Sequence, residues 1–279
     1  MNVSGPVRID MWRGNGKVLM IFGDEHYSRE GECFNGVSVN EILDEKIREG
    51  GIVYVENLPL EYRKIFNIHS VPGSDWLGMM SNWAFYKEKT HSEQIVFVDV
   101  RYPAINGSMS VIEKSLNNAE LNLDREMVDE RVSNTVFMEA FGDIGILLKD
   151  NYEFLKTGLH KKCVLPFISS LSEEMKVLLL RKQRKFFTLI ESNPFIHKND
   201  FDYFCEEVYK AFSYYQDVFT LERILTSTAK YHYLCLGWGH LDTLKYFLIK
   251  KKFKRKSVLC PIDKDKPRCI RLPVNYIIT

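Results

Sequence analysis

The chain has 279 residues, of which 45% are apolar, 38 are basic and 37 are acidic. This near balance excludes a global electrostatic field that would recruit nucleic acid or anionic lipid. The apolar fraction is ordinary for a globular protein with a core, so we expect either one large α/β domain or two small domains.

The termini and the cysteines predict a protein of the cell interior. The first ten residues lack the basic and apolar segments of a signal peptide, and no segment reaches the roughly 20 apolar residues of a membrane helix. Six scattered cysteines form no Cys-x-x-Cys pair: Cys33, Cys163, Cys205, Cys235, Cys260 and Cys269. This usage predicts reduced thiols and a cytoplasmic location.

The first third of the chain reads as alternating strands and helices. Short apolar runs predict strands at residues 18–22, 52–56 and 95–99. A helix is predicted over residues 40–49, with Asn40 as its N-cap and Gly50-Gly51 after its end. Continuous apolar strands separated by a helix are typical of a largely parallel sheet that is covered on both faces.

The middle of the chain has a helical pattern. Apolar residues recur at helical spacing over residues 124–148, 172–190 and 200–229, and no strand is predicted there. The strand pattern resumes at residues 233–236, followed by a helix over 241–250 and edge strands at 257–260 and 269–272. The predicted fold class is therefore α/β, with a mostly parallel central sheet flanked by helices. We expect a single domain over residues 1–279 that contains a helical insertion at residues 108–230.

Two tetrads of similar form stand at opposite ends of the sequence. Gly-Asp-Glu-His occupies residues 23–26, and Gly-Trp-Gly-His occupies residues 237–240, each directly after a predicted strand. In a parallel sheet, the strand ends of one edge form the usual ligand crevice. The pattern therefore predicts that His26 and His240 meet in one pocket.

Other polar residues are predicted at the same edge. Together with the two histidines they form one set: Asp24, Glu25, His26, Glu56, Asp99, Arg101 and His240. Imidazole and carboxylate suit a divalent ion such as Zn, Mn or Fe. The same groups also suit metal-free catalysis, with one histidine as general base and a carboxylate that orients it.

Each of these residues also has a structural interpretation. The histidines are then turn residues, Glu56 caps the next loop, and Asp99 and Arg101 form an ordinary ion pair. His232 is expected before its strand and at the opposite edge of the sheet. The basic run at residues 250–256 suits phosphate contact or targeting, but a solvated helix C-terminus is the favoured interpretation.

The motif residues resemble a superfamily that includes the erythromycin-esterase-like proteins, the ChaN-like haem-binding lipoproteins and the Tiki/TraB proteins. Residues 23–26 match its first Gly-x-x-His motif, with Asp24 where glutamate is common. Residues 53–59, with Glu56, match its strand-end acid, and residues 236–241 match its late Gly-x-x-His motif. In this family, the helix before the last motif places an acid and an arginine toward the pocket, which here correspond to Asp217 and Arg223. The chain is also similar to uncharacterised proteins of large double-stranded DNA viruses.

The resemblance implies a hydrolase that cleaves an ester or a peptide bond. His26, Glu56 and His240 would be metal ligands or the acid and base, with Asp24 beside them, and Arg101 or Arg223 would stabilise negative charge. The implied partner is a small-molecule or peptide substrate. The charge balance and the lack of a long apolar segment predict neither nucleic acid nor a membrane as a partner. If the protein is viral, its location is the host cytoplasm or the virion.

Two alternatives stand beside the hydrolase. Asp24-x-His26 also resembles the opening of metallophosphoesterases, but the Gly-Asp-x-x-Asp and Gly-Asn-His segments of that family do not occur. The second alternative is a non-catalytic structural or interaction protein, for example a virion component with protein partners in the particle, that keeps the pocket.

Overall fold

The computed structural model describes residues 2–24, 36–59, 76–101, 130–159, 163–261 and 269–272. The chain divides into two compact units. The first comprises Met1–Asp99 and Arg223–Thr279, and the second comprises Val100–Glu222. The second unit is thus inserted in the sequence of the first.

A six-stranded sheet organises the first unit. Its strands are β2 (Arg8–Gly14), β3 (Lys17–Asp24), β5 (Ile52–Val55), β6 (Ile95–Phe97), β9 (Tyr231–Gly237) and β10 (Lys254–Leu259). Their order is β10-β2-β3-β9-β5-β6. Strands β3, β9, β5 and β6 are parallel, whereas β2 and β10 are antiparallel to their neighbours. The predicted α/β class with a mostly parallel sheet is confirmed.

Helices lie on both faces of this sheet. The first face packs against α1 (Val39–Arg48) and α2 (Trp76–Glu88), and its core includes Phe22, Val55 and Cys235. The other face packs against α8 (Trp238–Lys250), and Leu241 of this helix contacts Gly23. Because side chains alternate along a strand, Gly23 faces α8 while Phe22 faces the core of α1 and α2.

The start of α1 corrects one prediction. Ser38, not Asn40, is the N-cap, because its hydroxyl accepts a hydrogen bond from the Glu41 N–H while the Glu41 carboxylate accepts one from the Ser38 N–H. This reciprocal capping box satisfies two donors that the helix itself leaves unpaired. Asn40 therefore lies inside the helix.

The start of α8 differs from the prediction as well. The helix begins at Trp238, with Gly237 as its N-cap, and not at Leu241. His240 therefore belongs to the first helical turn and does not lie in a loop after the strand.

The turn between β2 and β3 holds the chain segment that follows α8. Asn15 and Gly16 both have positive φ angles, as a tight hairpin requires. The Asn15 side-chain amide donates to the Lys251 carbonyl at 2.8 Å. Phe253 is buried, and its Cα would lie only 2.7 Å from a Cβ at position 14, so glycine is required there for this close approach.

Three short strands form a separate sheet, in the order β11-β1-β4. They are β1 (Asn2–Ser4), β4 (Val37–Ser38) and β11 (Cys269–Arg271). The predicted strand at residues 269–272 thus forms the edge of this small sheet, and the one at 257–260 corresponds to β10, an edge of the larger sheet.

The second unit is mostly helical. Its helices are α3 (Asn134–Ala140), α4 (Asp143–Thr157), α5 (Pro166–Ser170), α6 (Glu173–Ser192) and most of α7 (Phe201–Thr226). The expectation of no strand is wrong, because β7 (Arg131–Ser133) pairs antiparallel with β8 (Phe195–His197). The helix predicted over 124–148 is interrupted at Gly142, which has a φ of 52°. Residues 124–129 of that prediction lie outside the described part.

The cysteines depart from the predicted state at one position. Cys163, Cys205, Cys235 and Cys260 are free thiols, but Cys269 is disulfide-bonded to a partner outside the described residues. The premise of six reduced cysteines is therefore wrong. Within the described ranges, no helix is long and apolar enough to span a membrane.

Candidate functional site

Two of the predicted site residues meet at the carboxyl edge of the sheet. Glu56 directly follows β5, and His240 lies in the first turn of α8. The His240 Nε2 atom is 3.2 Å from the Glu56 Oε1 atom, and the two side chains are only 5% and 8% exposed. Because β9 lies next to β5, the end of β5 is brought beside the start of α8.

The Glu56 carboxylate is fixed by the backbone of the neighbouring strand. Its Oε2 atom accepts a hydrogen bond from the Gly237 N–H at 2.5 Å, and its own N–H donates to the Cys235 carbonyl at 3.0 Å. Gly237 is the N-cap of α8, so the carboxylate also lies at the positive end of that helix. Both oxygens of Glu56 thus have a defined partner.

This geometry defines the chemistry that His240 can perform. An ionised carboxylate only accepts hydrogen bonds, so a hydrogen bond across this 3.2 Å separation requires the proton on Nε2 of His240. In the neutral imidazole, the lone pair is then on Nδ1. A histidine whose second nitrogen is held by a carboxylate is suited to act as a general base or as a metal ligand.

Asp24 lies close to this pair along the backbone. It is the last residue of β3, pairs in register with Gly237 and is buried. Strand alternation places its side chain on the same face as Phe22, whereas Gly23 faces α8. The structure therefore brings the Asp24 backbone beside the site, and the role predicted for its carboxylate stays a prediction.

Asp99 and Arg101 fall on different units. Asp99 belongs to the first unit, is 1% exposed and donates its N–H to the Asn57 carbonyl at 3.0 Å. Arg101 belongs to the second unit, where its guanidinium lies 5.4 Å from the centre of the Phe212 ring. Asp217 also belongs to the second unit and is buried there. The roles predicted for these residues stay predictions.

Arg223 lies toward the opposite edge of the sheet. It is exposed and lies one turn before the end of α7. Its positive charge is close enough to Tyr54 to oppose the rise in the pKa of that phenol that burial causes. The Tyr54 hydroxyl in turn bonds His232 in the second position of β9, at its amino end. The structure therefore places Arg223 away from the edge that carries Glu56 and His240.

His26 and Glu25 lie outside the described residues, so the predicted meeting of His26 with His240 stays a prediction. Among the residues that are described, no group of three or more His, Cys, Asp or Glu side chains could hold a metal ion. Both oxygens of Glu56 are already engaged, one by His240 and the other by the Gly237 N–H. The described residues alone therefore do not fit a metal site.

His232 lies within β9 and not before it. It is fully buried, with Nδ1 3.1 Å from the Tyr54 hydroxyl and Nε2 3.0 Å from the Ala229 carbonyl. The carbonyl can only accept, so Nε2 carries the proton and Nδ1 accepts from Tyr54. Burial lowers the pKa of His232 from 6.5 to about 4.

One ionic cluster near the site was not predicted. Arg8 donates to both oxygens of the buried Asp10, at 2.7 and 2.9 Å, and its Nη1 lies 3.7 Å from Asp242 of α8. Arg8 pairs in register with Gly23, which places it near the carboxyl edge. Strand β2 was not predicted, so the sequence analysis did not place Arg8 and Asp10 on one strand face.

Comparison of the chain with protein-family models, with curated proteins and with solved structures gives no significant match. The superfamily resemblance therefore depends on the motif residues alone. The geometry of Glu56 and His240 is the observation from which a function can be argued.

Proposed function

We propose that the protein is a hydrolase that cleaves an ester or peptide bond at the carboxyl edge of the sheet in its first unit. The contact between Nε2 of His240 and Oε1 of Glu56, 3.2 Å long and buried, is the observation that carries this proposal. The superfamily resemblance supplies the substrate class. A metal ion bound through His26 is part of the same proposal, but the steps below do not require it.

In the proposed reaction, His240 is the general base. Its Nδ1 takes a proton from a water molecule, and the water oxygen attacks the substrate carbonyl. Glu56 stabilises the resulting imidazolium and holds the ring orientation, as the acid of a catalytic triad does. The proton then passes from Nδ1 to the leaving alkoxide or amine as the carbon–oxygen or carbon–nitrogen bond breaks.

The test measures hydrolysis of short aryl esters and of fluorogenic peptides by the purified protein. We expect His240→Gln to lower kcat/KM by about 10²- to 10⁴-fold, the usual contribution of a general base, and Glu56→Gln to lower kcat by a similar factor. His197→Gln is the matched control, because His197 is an exposed histidine of the second unit. Equal turnover in the two site variants and the control would exclude the proposed site.

The metal is tested separately by elemental analysis of the wild-type protein and of His26→Ala. Bound Zn, Mn or Fe that is lost in the variant would support a metal-assisted reaction. Turnover without bound metal would leave His240 as the base of a metal-free hydrolase.

One observation favours the non-catalytic alternative. One oxygen of Glu56 accepts a hydrogen bond from the N–H of Gly237, the N-cap of α8, and the other lies 3.2 Å from Nε2 of His240 in the first turn, so the carboxylate links the end of β5 to the start of α8. Under this alternative, the pair holds α8 on the sheet of a structural or interaction protein. Glu56→Gln would then lower the free energy of unfolding, while the wild-type protein would hydrolyse none of the substrates.

A further inference from the structure

A cavity of about 290 Å³ opens at a second place on the first unit. It is lined by residues of three adjacent strands: Met11, Trp12, Arg13, Val18 and Lys256. The residues belong to β2, β3 and β10, at the antiparallel side of the sheet. We call this space the cationic cavity.

The cationic cavity is distant from Glu56 and His240. Val18 pairs with Tyr231 at the amino end of β9, whereas Asp24 pairs with Gly237 at its carboxyl end. Six residues of extended strand span about 20 Å. The cavity is therefore a separate place on the same sheet and does not depend on the proposed hydrolase.

The charges at this cavity have no acidic partner in the described part of the chain. Arg13 and Lys256 line it, and Lys254 pairs in register with Arg13, which places it on the same face. All three are exposed and form no ion pair with a described acid. Arg255 differs, because its guanidinium lies 3.7 Å from Asp10 and 5.7 Å from the centre of the Trp12 ring.

The backbone that carries these cations is held in place. The pairing of β10 with β2 shifts between Arg255 and Ser257, so Lys256 is the extra residue of a β-bulge. The preceding segment is anchored by the buried Phe253 against Gly14 and by the Asn15 amide on the Lys251 carbonyl. A fixed backbone lowers the ordering cost of binding.

Apolar side chains line the cavity beside the cations. Met11 is 4% exposed and Val18 is half-buried. Lysines on an edge strand can also serve to discourage pairing with other chains. That role would require neither Arg13 on the neighbouring strand nor a cavity with apolar lining residues. The combination of cations and apolar side chains in the lining indicates a ligand with both characters.

We propose that the cationic cavity binds a small molecule that carries a phosphate monoester on an apolar body. A guanidinium and an ammonium group together match the several oxygens of a phosphate, and Met11 and Val18 contact the apolar part. The volume of about 290 Å³ lies at the small end of ligand pockets, which suits a single ring or short chain.

The test is calorimetric titration of the full-length protein with phenyl phosphate, inorganic phosphate and phenol. We expect saturable binding of phenyl phosphate, tighter than that of either fragment. Arg13→Gln and Lys256→Gln should each weaken it at least about 10-fold. Arg184→Gln and Lys149→Gln are matched controls, because both residues are exposed and lie in the second unit. Thermal unfolding of all four variants confirms that they are folded.

Three outcomes would overturn the proposal. They are no saturable binding of phenyl phosphate, equal affinity in the cavity variants and the controls, and binding to phosphatidic acid vesicles without binding of the soluble ligand. The last outcome would assign the cations to a lipid surface.

Discussion

At the scale of single residues, the buried histidine of β9 has a defined protonation state. His232 accepts from the Tyr54 hydroxyl through Nδ1 and donates to the Ala229 carbonyl through Nε2. Burial raises the pKa of Tyr54 above its ordinary value, so the phenol stays a donor at neutral pH. A second proton on His232 would place it on the nitrogen that accepts from Tyr54 and would break this bond.

This arrangement predicts a loss of stability in mild acid. The unfolded His232 takes up a proton below about pH 6.5, but the folded one does so only below about pH 4. The free energy of unfolding therefore falls as the pH decreases from 6.5 to 4, by at most about 3 kcal/mol, and His232 contributes no slope above 6.5. Urea unfolding at a series of pH values should show a smaller slope in His232→Phe than in the wild type.

The exposed His197 provides the control for this measurement. His197→Gln should keep the wild-type slope between pH 4 and 6.5. An unchanged slope in His232→Phe would show that other groups cause the acid sensitivity.

At the scale of elements, helix α8 connects the Glu56–His240 pair with the cationic cavity. Its first turn holds His240 against Glu56, and its last residue, Lys250, leads into the segment that Gly14 and Phe253 anchor. The backbone at Phe253 approaches β2 closely, and this approach sets where the chain enters β10. The packing at Gly14 therefore determines the position of the cationic cavity.

Two glycine substitutions test this packing and should act in opposite directions. Gly14→Ala would place a Cβ 2.7 Å from the Phe253 Cα, and a backbone atom cannot move aside by rotamer change. We expect a loss of about 1–3 kcal/mol in the free energy of unfolding. Gly239→Ala, in the first turn of α8, has no atom within 4 Å of the new Cβ and should gain about 0.4–1 kcal/mol.

Chemical denaturation of both variants gives the two values. A Gly14→Ala protein as stable as the wild type would mean that Phe253 can shift, and the anchored segment would then not be rigid.

At the scale of the whole molecule, β9, a central strand of the sheet, lies near the C-terminal end of the sequence. β9 pairs with β3 on one side and with β5 on the other, although most of the sequence between β6 and β9 belongs to the second unit. β10 has only β2 as a described neighbour. Strand β9 thus joins the two halves of the sheet.

Hydrogen exchange should reflect this position. We expect the amides of Leu234 and Cys235 to exchange only through global unfolding, because both neighbours of β9 must separate first. The amides of β10 should exchange on the order of 100-fold faster or more, through local opening of an edge. Mass spectrometry of exchanged peptides distinguishes the two strands, and equal rates would contradict a central role for β9.

The parallel strands could be predicted because their sequences are continuous apolar runs that are buried on both faces. Strand β2 could not be predicted, since Arg8, Asp10 and Arg13 interrupt its apolar pattern. Asp10 is buried beside the guanidinium groups of Arg8 and Arg255, and these contacts are a property of the folded chain. The helix prediction over 124–148 failed because strand β7 occupies Arg131–Ser133 and because the backbone has a positive φ at Gly142, between two helices.

The candidate site could be predicted in part. Predicted strands that end in an acid or a glycine indicated the carboxyl edge, where Glu56 and His240 lie. The contact between them depends on the order of the strands, β9 beside β5, which no short sequence window contains. Arg223 was assigned to the same edge through the resemblance. Its position near the end of α7 follows from where that helix stops, which the motif does not define.

Because β9 is synthesised long after its neighbour β3, the order of the strands also has a consequence for biosynthesis. About 200 residues separate the end of β3 from the start of β9. At typical translation speeds, a ribosome needs roughly 10 to 40 seconds to add them. During that time β3, and β5 once it has been made, lack the strand that pairs with both. Such open edges on a nascent polypeptide attract other chains, so we expect chaperones to engage this protein before its synthesis is complete.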